Sequence, residues 1–307
     1  MLKLFFITLK ILKNMKFNTK FLLFLLLICG LWINYGCQSR NRDYNYVSVS
    51  ILPEKYFIDR LTDEKIDVNV MIPSGANHET YSPTPQQFKK LSDSRLYICI
   101  GYLGYEQAWI ERLEELNPQM QILNLSHETE LICSENVQHG DHVHLGGIDP
   151  HIWMSPKVML ELAPKIKETL IENFPEHKET IEANYPVLLE ELEIKHKEME
   201  TVSNNVSKKK FMIFHPALTY LARDYGFEQI PLEFEGKEPT PARLAAIIKT
   251  AVDEKINLIF IQEEYDIRNA EQIAKETGAI MVTINPLAYN WIEAMNEIIE
   301  SLQTYLK

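Results

Sequence analysis

The stretch of sequence that decides the fold is residues 156–202, PKVMLELAPKIKETLIENFPEHKETIEANYPVLLEELEIKHKEMETV. It contains no run typical of a strand, and apolar residues such as Leu188 and Leu192 recur among many Glu and Lys at helical spacing. A flexible linker would be rich in Gly and Ser, which this stretch is not. We therefore predict a long, stiff helical connector. The residues expected to break it, or to start helices within it, are Pro164, Pro175 and Pro186.

On both sides of the connector, short apolar runs alternate with amphipathic segments, which is typical of parallel sheets with helices on both faces. We therefore predict an α/β protein with two lobes joined by one long helix. The predicted strands are 46–51, 67–72, 96–100, 121–125, 211–214, 258–261 and 280–284. The predicted helices include 53–62, 85–92, 105–115, 217–225, 241–254, 270–277 and 289–306.

The first 36 residues carry five lysines and no acidic residue, and residues 21–33 are almost entirely hydrophobic. That run has the length of a signal-peptide core and falls short of the roughly 20 residues that a membrane-spanning helix needs. A small residue then precedes Cys37, as in a bacterial lipoprotein processing site, although Asn34 and Tyr35 depart from the usual pattern. We predict export and lipidation at Cys37; the alternative is an uncleaved N-terminal anchor.

These features divide the chain into four parts. They are a signal peptide with the lipoprotein-type cysteine (1–37), an N-terminal α/β lobe (45–175), a connecting helix (176–204) and a C-terminal α/β lobe (205–307).

Without residues 1–37 the chain has 26 basic and 43 acidic residues, a formal net charge of −17. Such an acidic exported protein is a poor candidate for binding nucleic acid, and we predict that it binds none. Cys99 lies in an apolar strand pattern, so we expect a buried thiol. A Cys99–Cys133 disulfide is the alternative in an oxidising compartment.

Three histidines, His78, His151 and His215, lie in loops near the ends of predicted strands or beside the connector. They are separated by 73 and 64 residues, which excludes a local zinc finger or ribbon. The carboxyl ends of parallel strands are where open α/β sheets bind ligands. We predict that the three imidazoles meet between the lobes, where neutral nitrogen ligands suit zinc. Asn285 follows a predicted strand in the same way and is a fourth candidate ligand.

Several motifs resemble those of the zinc- and manganese-type substrate-binding proteins of bacterial metal ABC transporters. They are Asn77-His78-Glu79-Thr80-Tyr81-Ser82-Pro83-Thr84-Pro85, Asp149-Pro150-His151-Ile152-Trp153-Met154-Ser155-Pro156, Phe214-His215-Pro216-Ala217, Glu238-Pro239-Thr240-Pro241 and Glu276-Thr277-Gly278-Ala279 leading to Asn285-Pro286-Leu287. The resemblance runs from about Val47 to the C-terminus. It implies two pseudo-symmetric lobes bridged by one rigid helix, with one divalent metal at the interlobe interface and delivery to a membrane permease.

The resemblance also bears on the identity of the metal. In this family, histidine at the position of His215 suggests zinc, whereas a carboxylate suggests manganese, and three imidazoles do suit Zn²⁺. The family usually has aspartate at the position of Asn285, and a neutral amide is a weaker ligand that cancels no charge. Asn285, a water or a mobile carboxylate could fill the fourth position. The missing negative charge could come from Glu79, Glu263 or Glu264; the alternative for each is a solvated surface residue.

A second histidine cluster, His139, His142 and His144, lies in a Gly-flanked segment just before His151. Zinc-type members of the family often carry a histidine- and acid-rich loop here. We predict an auxiliary metal loop of low affinity; a merely polar loop is the alternative.

Three other classes of function compete with zinc transport. A zinc hydrolase also uses three protein ligands, but no HExxH glutamate or GxSxG elbow is present in the sequence. A protein of the same fold could bind manganese or another divalent metal, or act as an adhesin or metal-sequestering surface protein. We predict a non-catalytic, monomeric protein of the periplasm or cell envelope. It would be lipid-anchored, capture Zn²⁺ and deliver it to an ABC permease.

Overall fold

The computed structural model describes residues 46–133, 137–139, 142–144, 147–233 and 239–307. The predicted signal peptide, residues 1–37 with Cys37, lies outside the described residues, as does Glu238. Within the described ranges, no helix combines the length and the apolar character needed to cross a membrane.

The first lobe is built on four short strands with helices between them, as predicted. Its elements are β1 (Tyr46–Val49), α1 (Leu52–Thr62), β2 (Asp67–Val70), α2 (Pro85–Ser92), β3 (Leu96–Cys99), α3 (Gly104–Leu116) and β4 (Gln121–Asn124). A 3-10 turn, a two-stranded hairpin and a second 3-10 turn follow: Leu125–Glu128, β5 (Val137–His139) with β6 (His142–His144), and Ile152–Met154.

Two helices then lead to the second lobe. They are α4 (Pro156–Asn173) and the 28-residue α5 (Lys178–Asn205), with the 3-10 turn Pro175–His177 between them. The second lobe contains β7 (Lys210–Ile213), α6 (Thr219–Tyr225), β8 (Glu228–Pro231), α7 (Pro241–Asp253), β9 (Leu258–Ile261), α8 (Arg268–Thr277), β10 (Ile280–Thr283) and α9 (Trp291–Tyr305).

The two lobes share one topology. The strand orders are β2-β1-β3-β4 and β8-β7-β9-β10, and all neighbouring strands within each sheet are parallel. In both sheets the second strand lies on one side of the first strand and the third strand on the other. The predicted two-lobed α/β fold with a long joining helix is therefore confirmed.

Three helices begin in the same way, with a hydroxyl residue followed by proline. In each case the side-chain oxygen of the first residue accepts a hydrogen bond from the backbone N–H three residues later, and proline occupies the first helical position, where no N–H is needed. These pairs are Thr84-Pro85, Ser155-Pro156 and Thr240-Pro241.

The prolines of the connector behave differently from the prediction. Pro164 lies inside α4 and Pro186 lies inside α5, and only Pro175 stands at a break. Proline removes one hydrogen bond and crowds the preceding turn. Packing holds both helices together across these sites, since α4 and α5 pack on each other and α5 also contacts α1 and α9.

The core is continuous between the lobes. One face of the second sheet, with Phe211, Ile213 and Phe260, belongs to the same buried cluster as the first sheet and α5. The alternate residues Met212 and Ile259 point to a separate cluster beneath α7 and α8. Cys99 is buried and Cys133 is exposed, and both are free thiols, so the disulfide alternative is not formed.

In the first sheet, β2 lies on one side of β1 and β3 on the other, which leaves a crevice between the ends of β1 and β3. The buried carboxylate of Glu106 fills this crevice. This carboxylate accepts hydrogen bonds from the backbone N–H groups of Ile100 (3.0 Å), Gly101 (2.7 Å) and Leu103 (2.9 Å), and from the hydroxyl of Ser50. Such crevices are the usual ligand sites of open α/β sheets. In the first lobe the protein's own carboxylate occupies that position.

Candidate metal centre

Three loops bring His78, His151 and His215 to one point. His78 lies between β2 and α2, His151 directly before the turn Ile152–Met154, and His215 two residues after β7. All three side chains are buried, with exposures of 2%, 3% and 4%. Histidine is seldom buried to this degree without partners, so the convergence needs a chemical reason.

The three imidazoles form a nearly equilateral triangle. Their ring centroids lie 4.9, 5.1 and 5.0 Å apart, and the rings meet edge to face. Nε2 of His151 lies 2.9 Å from Nε2 of His78 and 3.2 Å from Nε2 of His215. Three nitrogens bound to one tetrahedral zinc at about 2.05 Å would lie about 3.3 Å apart. The spacing is close to that of a zinc site.

The opposite ring nitrogens of two histidines are engaged by carboxylates. Nδ1 of His151 lies 2.8 Å from Asp149 Oδ1, and Nδ1 of His215 lies 2.7 Å from Glu233 Oε1. A carboxylate accepts, so each Nδ1 carries the proton and each neutral ring has its lone pair on Nε2. Two lone pairs 3.2 Å apart repel each other unless a cation or a proton lies between them.

His78 has no such support. Its Nδ1 is buried and has no hydrogen-bond partner among the described residues. Burial, together with the neighbouring His151 and His215, lowers the pKa of His78 to about 2. A ring that stays neutral keeps a lone pair available, which is the form that binds metal.

The hydrogen-bond partners of His215 and Asp149 shift the pKa values of these two groups against the effect of burial. Burial lowers the pKa of His215, but the hydrogen bond and charge of Glu233 outweigh it and raise that pKa overall. Burial raises the pKa of Asp149, but the nearby His151 outweighs it and lowers that pKa overall. Both pairs therefore favour a carboxylate facing an N–H group.

The second lobe fixes His215 from several sides. The side-chain amide of Gln262 accepts from the His215 N–H (3.2 Å) and donates to the His215 carbonyl (2.8 Å). The ring of Tyr265 stacks on the imidazole at 5.3 Å and 15°. The hydroxyl of Tyr265 donates to Glu79 of the first lobe at 3.4 Å, so this contact bridges the lobes beside the site.

Two tryptophans fasten the lobes behind His151. Nε1–H of Trp153 donates to the carbonyl of Pro286 (2.8 Å), and Nε1–H of Trp291 donates to the carbonyl of Trp153 (2.7 Å). The hydroxyl of Tyr220 donates to the carbonyl of Asp149 (2.8 Å). The loop that carries His151 is therefore held by residues of the second lobe.

Asn285 differs from the three histidines in its burial and in its contacts. Its side chain is exposed, and its Oδ1 accepts a hydrogen bond from the Leu287 N–H at 2.9 Å, which closes the turn after β10. Of the carboxylates considered for the fourth position, Glu263 is exposed and burial raises the pKa of the half-buried Glu264. Glu79 is partly exposed, with Oε2 3.7 Å from His215 Nδ1.

The predicted auxiliary loop forms an antiparallel hairpin of β5 and β6, in which His139 pairs with His142 and Val137 with His144. Its base lies beside the strand-like pairing of Cys133 with Ile148, three residues before His151. The structure describes the backbone of these two strands, so metal binding by their histidines stays a prediction. Asp141, between the strands, lies outside the described residues.

Glu233 lies at hydrogen-bond distance from a candidate ligand, His215, but it was not predicted from the sequence. It follows β8, a strand that was not predicted because Glu228-Gln229-Ile230-Pro231 has neither an apolar run nor alternation. No local signal distinguishes Glu233 from Glu235 and Glu238 of the same segment.

The profile of the family described as ZnuA, zinc-uptake complex component A, periplasmic, matches residues 47–305. The high-affinity zinc uptake system protein ZnuA of Bacillus subtilis is 27% identical over 268 residues, 84% of this chain and 83% of that protein. The zinc-binding lipoprotein AdcA of Streptococcus pneumoniae is 23% identical over 87% of this chain, which spans only 55% of AdcA's length.

Solved structures give the same result. A crystal structure of ZnuA is 32% identical, covers 86% of this chain and 100% of its own, and superposes with a TM-score of 0.76. A zinc-bound deletion mutant of ZnuA is 31% identical over 86% of this chain and 99% of its own, with a TM-score of 0.74.

Proposed function

Because the chain belongs to the family of periplasmic zinc-uptake complex components, we propose that it carries Zn²⁺ and that the ligands are His78, His151 and His215. The protein is the zinc-binding component of an uptake system, and its permease partner is of the ABC type. The ion is cargo that must be held and released. One observation supports the ligand assignment most directly. The Nε2 atoms of His151 and His215 face each other at 3.2 Å, and both Nδ1 atoms lie at hydrogen-bond distance from carboxylates.

The coordination would use one nitrogen from each of three loops. His78 and His151 belong to the first lobe and His215 to the second, so the ion would link the lobes. The fourth position is proposed for water, Asn285 or a carboxylate. The hydrogen bond from Leu287 to Asn285 supports a turn-closing role for that amide, which leaves water as the simplest fourth ligand.

A competition titration tests the identity of the metal. Purified residues 38–307 are expected to bind one Zn²⁺ tightly and to prefer it over Mn²⁺, because manganese favours oxygen-rich sites. The variants His78→Ala, His151→Ala and His215→Ala should each lose at least about 100-fold in zinc affinity, since each removes one of three ligands. His177→Ala, outside the cluster, is the matched control. A clear preference for Mn²⁺ would overturn the zinc assignment.

We also propose that the protein is anchored by a lipid at Cys37, is monomeric, and catalyses no reaction. The anchor is supported by the sequence around Cys37 and by the lipoprotein name of one relative. Membrane fractionation of the wild type and Cys37→Ala is the test, with release of the variant expected. The adhesin or sequestration alternative predicts that deletion of the gene leaves growth in zinc-poor medium unchanged.

A further inference from the structure

The carboxylate of Glu233 is the most buried acidic group beside the three histidines. Its side chain is 6% exposed, and its Oε1 lies 2.7 Å from His215 Nδ1. The backbone places it there, because the Glu233 N–H donates to the carbonyl of Phe214 at 3.2 Å. The parallel pairing of β7 and β8 thus continues to the residues that carry these two side chains.

The contact between Glu233 and His215 also affects the charge balance of the site. Three neutral imidazoles cancel none of the two positive charges of a bound Zn²⁺, and an uncompensated buried charge is costly. Asn285 supplies no charge. Among the described residues, the buried carboxylates that contact these rings are Glu233 on His215 and Asp149 on His151, one for each positive charge.

We propose that Glu233 is a positioning residue that holds His215 with its proton on Nδ1 and supplies buried negative charge to the bound Zn²⁺. The inference deepens, and rests on, the proposed three-histidine site. Glu233 acts through the imidazole and not as a ligand, because its carboxylate contacts the nitrogen on the far side of the ring from the other histidines.

Glu79 is a weaker candidate for this role. Its Oε2 is 3.7 Å from His215 Nδ1, compared with 2.7 Å for Glu233, and its side chain is 38% exposed. Water and salt screen an exposed charge much more than a buried one. The shorter and more buried contact therefore dominates.

Two substitutions separate geometry from charge. Glu233→Gln keeps the size and an amide oxygen that can accept from Nδ1–H, but removes the charge. Glu233→Asp keeps the charge and withdraws it by one methylene. We expect zinc affinity to fall about 10- to 100-fold in Glu233→Gln, the usual cost of losing such a partner, and less in Glu233→Asp. Glu228→Gln, at the exposed start of β8, is the matched control and should bind like the wild type.

The titrations distinguish the two proposals. Failure of the wild type to bind one Zn²⁺ tightly would reject the three-histidine site itself. Tight binding by the wild type with unchanged affinity in Glu233→Gln would overturn the role of Glu233 alone. A loss in Glu233→Asp at least as large as in Glu233→Gln would overturn the contribution of charge.

A measurement on the zinc-loaded wild type removes any dependence on the folding of variants. Long-range ¹H–¹⁵N correlation spectra of the histidine side chains report which ring nitrogen carries the proton. We expect His215 to retain a proton on Nδ1 and to bind zinc through Nε2. Zinc on Nδ1 of His215 would contradict the proposal.

Discussion

At the scale of single residues, two of the three imidazoles, those of His151 and His215, have neighbours at both ring nitrogens. Nε2 of His151 and His215 faces the other rings, while Nδ1 donates to Asp149 or Glu233. Histidine is suited to this because the hydrogen bond at one nitrogen sets the availability of the other. We therefore expect the zinc affinity of the site to depend on Asp149 and Glu233, which contact Nδ1 on the side of each ring away from the other histidines.

A residue-scale prediction concerns the fourth position. Asn285→Asp adds a charge and can still accept from the Leu287 N–H, so zinc affinity should rise by about tenfold, roughly 1.4 kcal/mol, if residue 285 lies beside the ion. Competition titration of both proteins is the measurement. Asn204→Asp, which adds the same charge at the exposed end of α5, is the control. An unchanged affinity would place residue 285 outside the coordination sphere.

A second residue-scale prediction concerns the buried carboxyl of Glu54. Its Oε2 accepts from the N–H groups of Ser50 (2.7 Å) and Ile51 (3.0 Å), and burial, aided by Glu106, raises its pKa well above the usual value. A raised pKa in the folded state stabilises the protein at low pH and loses that contribution as pH rises above about 4.3.

Glu54→Gln cannot lose a proton, so its free energy of unfolding relative to the wild type should increase between pH 5 and pH 8. Urea unfolding at both pH values measures this difference. The exposed Glu190→Gln should show no such trend. A difference that falls with pH would refute the assignment of Glu54 as a carboxyl with a raised pKa.

At the scale of elements, α5 contacts both lobes along its length. Near its start the side chain of Asn184 donates to Asp63 (2.7 Å), and Arg60 pairs with Glu191 (2.7 Å). Further along, Lys195 donates to Asn296 of α9 (2.6 Å). The helix therefore packs against both lobes as well as connecting them.

Pro186 provides an element-scale prediction. Pro186 is exposed inside α5, so neither its ring nor its lack of an N–H contributes to packing. Pro186→Ala should stabilise the protein by about 1–2 kcal/mol, because relief of the helix defect exceeds the entropy that proline removes from the unfolded chain. Denaturant unfolding is the measurement, and the exposed substitution Glu190→Ala should change stability by less than about 0.5 kcal/mol. Destabilisation would show that proline is required there.

The elements also show what the sequence can predict. Strands such as Leu96–Cys99 were found because a buried parallel strand is a continuous apolar run. The edge strand β8 was missed because its side chains are half exposed, and Glu233 was missed with it. The prediction that Pro164 and Pro186 break or start helices was wrong, because packing between helices outweighed the tendency of proline to interrupt them.

At the scale of the whole molecule, the three histidines could be grouped from the sequence because His78 and His215 follow strands of the two lobes and His151 lies in the turn before the connector. Their carboxylate partners could not be predicted, since the pairing of Glu233 with His215 depends on which strand lies beside β7. The division into parts at residues 37, 175 and 204 stays a prediction.

A whole-molecule prediction concerns cooperativity. Because the core is continuous across both lobes and α5, tryptophan fluorescence and far-UV circular dichroism should report one coincident unfolding transition. Zinc binds only the folded form, so a concentration 100 times the dissociation constant should stabilise the protein by about 2.7 kcal/mol.

The variant His215→Ala should lose this stabilisation by zinc, and His177→Ala should keep it. Two separate transitions, with zinc shifting only one of them, would show instead that the lobes unfold independently.

The filled crevice of the first lobe determines how that lobe can take part in the site. Because Glu106 occupies the crevice between β1 and β3, the first lobe reaches the three-histidine cluster through the loops that carry His78 and His151. In the second lobe, the histidine of the cluster follows the first strand of the sheet, since His215 lies two residues after β7. Two lobes of the same topology therefore contribute to one site in different ways.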